Sequence, residues 1–315
     1  MAVLSAVLLF RCPQCREHEG DLDPFGTAGW RCPGCGSAWA VRDGVVDGLT
    51  PEARERYAGF FEDCRAVRDA QGLEPLDASR YLELPFGRTE SPWPQRARSW
   101  RSFERDVLIP LERDATRPLE ILDAGAGAGW LSYRLALRGH RPVAIDLRDD
   151  PRDALGAVSH YREVLERPFP AIQAEFDNLP LGEDQFDLVV YNSSFHHAVD
   201  YRQTLREARR VLSWGGRVVI LDTPIYQRFQ DGEAMVERRH ARFEERYGRR
   251  LDSVLSMEYL DEGMLQALAV ELGLRWTIHK PWHGLNREAQ AWLARWSARR
   301  PPARYWILEA SWGGS

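Results

Sequence analysis

The sequence predicts an α/β fold that follows a small cysteine-rich unit at the N-terminus. From Pro118 onward, apolar strands alternate with amphipathic helices, which is typical of parallel βαβ units. A glycine-rich loop follows the first of these strands, and two CxxC pairs lie within the first 35 residues. A chain of 315 residues also exceeds the roughly 100 to 200 residues of one typical domain, so two units are expected.

Composition excludes several classes of protein. The chain is 44% hydrophobic and 28% charged, which is unlike a disordered or fibrous protein. Its apolar runs are far shorter than the ~20 residues that a membrane helix needs. The first ten residues lack a basic start and a small-residue cleavage site, so they are not expected to be a signal peptide, and a cytoplasmic location is expected. The net charge is −5, and no segment has the strong positive charge that supplies a general affinity for nucleic acid.

Four of the five cysteines have the spacing of a metal site. Cys12 and Cys15 form CPQC, Cys32 and Cys35 form CPGC, and sixteen residues separate the pairs. Two such turns can aim four thiolates at one tetrahedral zinc ion. Disulfides are the poorer interpretation, since cytosolic thiols stay reduced. A zinc ion with four thiolate ligands has no open position, so the predicted role is structural, and Cys64 is expected to be a small buried residue.

The sequence around these cysteines also resembles a known type of module. The stretches LLFRCPQC and GWRCPGCGSAWAVRDGVVDGL are similar to small zinc ribbons that occur alone as methyltransferase activators or fused in front of methyltransferases. The resemblance implies a ribbon over residues 1–48 with a role in substrate recognition or packing.

Residues 49–115 are predicted to form a helical bridge. Thr50 is a suitable N-cap and Pro51 suits the first helical position, and the helix then presents an apolar face of Phe60, Phe61, Cys64 and Val67. A second helix over residues 96–114 carries Trp100, Phe103, Val107 and Leu108 at helical spacing. Packing against the next domain explains most of these residues, and a lid over a substrate pocket is the alternative.

The glycine loop indicates the chemistry of the ligand. Asp123, Gly125, Gly127 and Gly129 form DxGxGxG between a strand and a helix, where the backbone must turn sharply and approach a ligand closely. The dinucleotide pattern GxGxxG fails because Trp130 occupies its third glycine position. A carboxylate before the loop would repel a pyrophosphate but suits a ligand with ammonium and sulfonium groups, namely S-adenosylmethionine.

Four ordered motifs resemble the class I S-adenosylmethionine-dependent methyltransferases: LDAGAGAGW, VAIDL, AEFDNLPLGEDQFDLVVYNSSFHH and LREARRVLSWGGRVVILD. Leu181 and the Ser213-Trp214 pair depart from the usual pattern outside the cofactor positions. The resemblance implies a Rossmann-like seven-stranded sheet with helices on both faces and an antiparallel edge. The methyltransferase domain would span residues 116–315, with an insertion at about 224–258 and, near its end, a helix with Trp292 and Trp296 before a last strand.

The same resemblance assigns residues to the parts of the cofactor. The glycine loop would surround the methionine part and Asp146 would hold the ribose. Glu175 would accept the adenine amino group, with Asp177 as the alternative acid, while Phe176 contacts the ring and Asn192 lies beside the sulfonium. The complete predicted cofactor set is Asp123, Ala124, Gly125, Ala126, Gly127, Asp146, Leu147, Glu175, Phe176, Asp177 and Asn192.

Two adjacent histidines are candidates for a catalytic base. His196 and His197 follow the fourth strand, and imidazole titrates near neutral pH. In the alternative interpretation one histidine caps the strand end and the other faces solvent. The insertion offers further candidate pocket residues, namely Pro224, Tyr226, Met235, His240 and Phe243.

The favoured function is S-adenosylmethionine-dependent methyl transfer, by in-line displacement, to a small molecule. An rRNA or tRNA base methyltransferase that recognises RNA through its ribbon is one alternative, although residues 1–50 carry only four basic against six acidic residues. A non-catalytic S-adenosylmethionine-binding scaffold is another. The expected partner is a small-molecule methyl acceptor rather than nucleic acid or a membrane, and assembly into a homo-oligomer is left open.

Overall fold

The computed structural model describes residues 7–72, 74, 76–248, 256–282 and 302–313. The chain begins with six short strands: β1 (Leu8–Arg11), β2 (Glu19–Leu22), β3 (Trp30–Arg31), β4 (Ala38–Trp39), β5 (Val41–Arg42) and β6 (Val45–Asp47). The strands β1 and β2 form one antiparallel pair, and β3 and β4 form another. The predicted helix with Trp292 and Trp296 lies outside the described residues.

A nine-stranded sheet forms the centre of the molecule. Its strand order is β14-β15-β11-β10-β7-β8-β9-β6-β5. The strands β7 to β11 are Glu120–Ala124, Arg141–Asp146, Ala171–Gln173, Phe186–Asn192 and Leu212–Leu221, and β14 and β15 are Leu274–His279 and Ile307–Trp312. These seven strands confirm the predicted sheet, with β15 antiparallel to both of its neighbours.

The cysteine-rich segment extends this sheet by two strands. Strand β6 pairs in parallel with β9, and β5 pairs with β6 as a hairpin at the edge. A separate two-stranded pair joins β12 (Ile225–Tyr226) to β13 (Leu260–Asp261). Most of the central strands are continuous apolar runs because a parallel sheet covered on both faces buries successive side chains on both sides.

Helices surround the sheet. They are α1 (Pro51–Ala70), α2 (Ala78–Glu83), α3 (Trp93–Phe103), α4 (Ile109–Asp114), α5 (Trp130–Leu137), α6 (Ser159–Arg162), α7 (Tyr201–Val211), α8 (Phe229–Tyr247) and α9 (Glu262–Leu272). Helix α1 begins as predicted, since the Thr50 hydroxyl accepts a hydrogen bond of 3.1 Å from the Ala53 amide. The predicted second helix begins three residues earlier and contains a π-helical turn at residues 104–108. None of the described helices combines the length and apolarity needed to cross a membrane.

The N-terminal unit shares its core with the large sheet. Phe10 is fully buried, pairs with Leu181 through an isolated bridge, and lies edge-on to Trp30 with ring centroids 5.3 Å apart. The same buried cluster contains Leu122 of β7 and Tyr191 of β10. Unfolding of the first strands would therefore expose the core of the central sheet.

This shared core predicts the effect of Phe10→Ala. Removal of the ring should lower the free energy of unfolding by about 3 to 5 kcal/mol in one cooperative transition. Urea denaturation followed by circular dichroism measures the change. The matched control Phe25→Ala removes a partly exposed ring and should cost under about 1 kcal/mol. A separate early transition confined to the N-terminal unit would contradict the shared core.

Candidate functional site

A cavity of about 600 Å³ opens at the carboxyl ends of β7, β8 and β10. Its floor comes from the loops that follow these strands, and helices α1 and α3 supply much of its wall. Ligands of open α/β sheets bind at this edge, and the volume is typical of small-molecule sites, which span roughly 300 to 1,000 Å³.

The glycine loop between β7 and α5 takes a conformation that favours glycine. Gly125, Gly127 and Gly129 have φ values of 78°, 54° and 79°, in the left-handed region. A Cβ atom on Gly125 would lie 2.3 Å from the Cβ of Ser194, so the cradle has no room for a side chain there. The Gly125 amide donates to the Ile145 carbonyl at 2.8 Å and holds the loop against β8.

Asp123 carries an unsatisfied carboxylate oxygen at this loop. Its Oδ2 accepts hydrogen bonds from the Ser132 amide at 3.1 Å and the Ser132 hydroxyl at 2.8 Å, whereas its buried Oδ1 has no hydrogen-bond partner. Burial raises the pKa of Asp123 to about 7. A buried acceptor without a donor is costly, and Asp123 lines the cavity, so a cationic ligand would satisfy it.

Asp146 connects the second strand to the same loop. Its Oδ2 accepts the Gly127 amide at 2.8 Å and its Oδ1 accepts the Arg148 amide at 2.9 Å. Burial raises the pKa of this carboxyl, which the nearby Arg148 partly offsets. Each carboxylate oxygen has a second lone pair, so the group can still accept hydroxyl donors from the cavity.

The third acidic position lies beyond β9. Glu175 is buried on the cavity wall and forms an ion pair with Arg56 of α1. Burial, reinforced by nearby Asp177, raises the pKa of Glu175. The Phe176 ring stands edge-on to Tyr191 with centroids 5.4 Å apart. Both acids line the cavity, and Glu175 is the more enclosed of the two.

The structure brings nearly the whole predicted cofactor set to one cavity. Asn192 at the end of β10 and Leu147 after β8 both line it, as do the two alanine-flanked glycines. Ala124 is the exception, since it is buried inside β7 away from the cavity lining. Its carbonyl instead accepts a hydrogen bond of 2.6 Å from the Ser194 hydroxyl, which holds the loop after β10 against the glycine loop.

The two candidate histidines occupy different environments. His196 is buried, lies outside the cavity lining, and approaches the Thr223 hydroxyl at 3.4 Å. His197 lines the cavity and its side chain is exposed to solvent. Desolvation by the surrounding protein, with the cations Arg239 and Arg148, lowers the pKa of His197 to about 4. Its imidazole is therefore neutral at neutral pH and can accept a proton.

Several cavity residues were not predicted from the sequence. Helix α1 contributes Tyr57, Phe60, Cys64 and Arg68, and α3 contributes Trp93 and Arg96. The insertion after β11 contributes Arg239, Ser256 and Glu258 rather than the five residues named from its sequence. The amphipathic face of α1 is a sequence pattern from which its cavity residues could have been predicted. No such pattern marks the cavity residues of α3 and the insertion, because their approach to the cavity depends on long-range packing.

The four predicted metal ligands converge at the N-terminal unit. Their Sγ atoms all lie within 4.8 Å of one another. Cys12 and Cys35 are 3.6 Å apart at sulfur, and Cys15 and Cys32 are 3.7 Å apart. A tetrahedron with Zn–S bonds of 2.3 Å requires sulfur atoms about 3.8 Å apart. The four thiols therefore fit one tetrahedral zinc ion.

Comparison with known proteins identifies the central segment. Residues 122–220 match a family model described as a methyltransferase domain. This segment is therefore similar to methyltransferase domains. It contains the glycine loop, Asp146, Glu175, Asn192 and both histidines, so the predicted cofactor positions fall almost entirely inside it.

The curated relatives align with only part of this chain and over only part of their own length. A sarcosine/dimethylglycine N-methyltransferase from Halorhodospira halochloris is 34% identical over 39% of this chain and 44% of its own length. A demethylmenaquinone methyltransferase from Corynebacterium urealyticum is 35% identical over 42% of this chain and 52% of its own. The chain thus spans about half the length of these curated relatives. The solved YcgJ protein from Bacillus subtilis is 18% identical, with a TM-score of 0.45 over 66% of this chain and 98% of that one.

The glycine cradle predicts unequal effects of two alanine substitutions. Gly125→Ala and Gly139→Ala both force a side chain into the left-handed region, at a cost of about 1 to 2 kcal/mol of unfolding free energy. Nothing lies within 4 Å of a Cβ at Gly139, whereas Gly125 meets Ser194 and should lose a further ~1 to 3 kcal/mol. Urea denaturation compares the two variants, and equal losses would show that the cradle can relax.

Proposed function

We propose that this protein transfers a methyl group from S-adenosylmethionine to a small molecule. The observation that carries the proposal is the unpartnered Asp123 oxygen beside left-handed glycines at the carboxyl edge of a methyltransferase domain. The relatives named above include methyltransferases of sarcosine/dimethylglycine and of demethylmenaquinone, which favours a small-molecule acceptor. The cavity volume of about 600 Å³ supports the same class of acceptor.

The residues present fit this cofactor. Asp123 would attract the ammonium group, the bare backbone of the glycine loop would allow the methionine part to approach, and Asp146 would accept the ribose hydroxyls. Glu175 would accept the adenine amino group, a role that competes with its ion pair to Arg56. When bound, S-adenosylmethionine supplies an activated methyl group, because its sulfonium sulfur departs as a neutral thioether.

Alignment of the acceptor is the main task left to the protein. Holding two reactants in line replaces a bimolecular encounter, and enclosure by α1 and α3 would maintain that geometry and exclude water. We assign residues 49–115 the role of a substrate lid, because four side chains of α1 and two of α3 line the cavity. Where the acceptor must lose a proton, His197 is the better placed of the two histidines.

Calorimetric titration with S-adenosylmethionine tests the cofactor assignment. The wild-type chain should bind it, and Asp146→Ala should weaken binding about 10- to 100-fold, equivalent to about 1.5 to 3 kcal/mol for hydrogen bonds to a charged group. Glu183→Ala, which removes an exposed carboxylate outside the cavity lining, is the control and should bind as wild type does. No binding by wild type, or equal affinity in Asp146→Ala, would refute the assignment.

We further propose that the four thiols hold a structural zinc ion. Four sulfur ligands close the coordination sphere, which leaves no position for a substrate. The ion would join the two CxxC turns and so hold β1 and β3 around Phe10. Free rather than paired cysteines suit a reducing compartment, and we place the protein in the cytoplasm on that basis.

Metal analysis tests the zinc proposal. The purified protein should contain one zinc ion per chain, and Cys32→Ser should lose it. The same substitution should lower the melting temperature of the whole chain, because the ribbon shares the core of the large sheet. Cys64→Ser, outside the cluster, should retain the ion. Full zinc content in Cys32→Ser would contradict the four-thiolate site.

A further inference from the structure

Six arginines line the cavity, and one of them differs from the others in its pairing. Arg68 and Arg148 both bind Asp153, at 2.5 and 2.8 Å. Three more arginines also form ion pairs: Arg152 with Asp150 and Asp69, Arg88 with Glu90, and Arg239 with Glu258. Arg96 of α3 is the sixth. Its guanidinium forms neither a hydrogen bond nor an ion pair with any residue in the described part of the chain.

The surroundings of Arg96 hold its guanidinium in place without neutralising it. The group lies over the Trp93 ring, 4.8 Å from the centroid, and its Nε is shielded from solvent. Asp222 is engaged by the same helix, since its Oδ1 accepts hydrogen bonds from Ser99 at 2.7 Å and Gln95 at 3.0 Å. No ion pair joins Arg96 to Asp222 or Asp153 among the described residues, and both carboxylates act on its charge only at longer range.

An enclosed, unpaired cation is costly in a folded protein. Guanidinium groups stay charged, so Arg96 cannot relieve the cost by losing its proton. A charge without a counterion in a low-dielectric site lowers stability by several kcal/mol unless a ligand supplies the opposite charge. Trp93 and Arg96 both face the cavity, so the missing anion would arrive there rather than from the protein interior.

Arg96 belongs to a different element from the residues that suit the cofactor. Asp123 lies near the end of β7, Asp146 ends β8 and Glu175 follows β9, whereas Arg96 lies on helix α3. S-adenosylmethionine carries one carboxylate, on the methionine part that is assigned to the glycine loop after β7. The turn of α3 that carries Arg96 is instead hydrogen-bonded, through Gln95 and Ser99, to Asp222 at the end of β11, two strands away from β7. Aromatic side chains, including Tyr57, Phe60 and Trp93, contribute apolar surface to the same cavity.

We propose that the methyl acceptor carries an anionic group, a carboxylate or a phosphate, on an apolar body, and that Arg96 binds this group. The planar guanidinium can donate two parallel hydrogen bonds to either anion. Arg96 then selects the acceptor and orients it toward the cofactor half of the cavity. This assignment rests on the proposed function for the identity of the acceptor, but the anion site itself is independent of it.

The test uses benzoate, phenyl phosphate and the neutral isostere benzamide as probes. Each is titrated into the full chain, with and without saturating S-adenosylhomocysteine, by calorimetry. At least one anion should bind about tenfold or more tightly than benzamide, since a charged group in hydrogen-bond contact is worth at least that factor. Tighter binding of benzoate indicates a carboxylate, and tighter binding of phenyl phosphate indicates a phosphate.

Two substitutions on the same helix supply the comparison. Arg96→Met should abolish the preference for the anion, while Arg98→Met, at a position outside the cavity lining, should preserve it. Arg96→Lys, which retains the charge but not the planar fork, should keep part of the preference. Removal of an unpaired charge should also leave the melting temperature of Arg96→Met unchanged or raised, whereas loss of a structural ion pair would lower it.

The outcomes distinguish the two proposals. Equal binding of anions and benzamide, no anion binding at millimolar concentration, or an anion preference that survives in Arg96→Met would overturn the assignment of Arg96. If S-adenosylhomocysteine fails to bind while the anion preference depends on Arg96, the proposed function fails and the anion site stands. If S-adenosylhomocysteine binds and no anion preference exists, only the anion site fails. An anion preference that is lost when S-adenosylhomocysteine is bound would assign Arg96 to the carboxylate of the cofactor and overturn its assignment to the acceptor.

Discussion

The attachment of the glycine loop to strand β8 is the constraint on which the site depends. The amides of Gly125 and Ala126 both donate to the Ile145 carbonyl, and the Gly127 amide donates to Asp146. These bonds require left-handed backbone at alternate positions, which residues with side chains adopt only at a cost. With the loop held against β8, Asp123 lines the cavity and α5 begins at Trp130, directly after the loop.

Unpaired groups of opposite charge come from two parts of the chain. Asp123 near the end of β7 and Asp146 at the end of β8 accept hydrogen bonds from backbone amides. Five of the six cavity arginines, including Arg148 and Arg152 after β8, are paired with neighbouring acids, and Arg96 of α3 is not. The strand ends thus provide an environment for a cation, and Arg96 provides one for an anion. One site can hold two reactants of different charge for this reason.

The N-terminal unit is part of the same folding unit as the sheet. Strand β6 pairs with β9, and Phe10 packs in the cluster that contains Tyr191. The ribbon therefore affects the site through the sheet edge and the shared core rather than through a cavity of its own. Glu175 lies between two contacts with this unit, since the Gln173 carbonyl accepts the Gly48 amide at 3.0 Å and the Asn178 side chain donates to the Pro13 carbonyl at 3.0 Å. Any loss of order in the ribbon is expected to reach the cofactor residues by this route.

Much of the site could be predicted from local sequence. The DxGxGxG loop, Asp146 at a strand end and the paired CxxC turns each combine residue type with spacing, and the structure places their side chains as expected. Ala124, predicted to bind the cofactor, lies outside the cavity lining, because a motif does not reveal which side of a strand end a residue faces. The sequence left the choice between His196 and His197 open for the same reason, since both follow the strand and only one lines the cavity.

By itself, the sequence determined the sheet, the cofactor loop and the cysteine cluster, because these depend on backbone conformation and short-range spacing. Only the tertiary structure decided which residues of α1, α3 and the insertion reach the cavity, and that Arg96 lacks a counterion there. Whether a charge is paired depends on groups far apart in the chain. Asp222 and Arg96 are separated by more than a hundred residues, and their failure to pair is a property of packing alone.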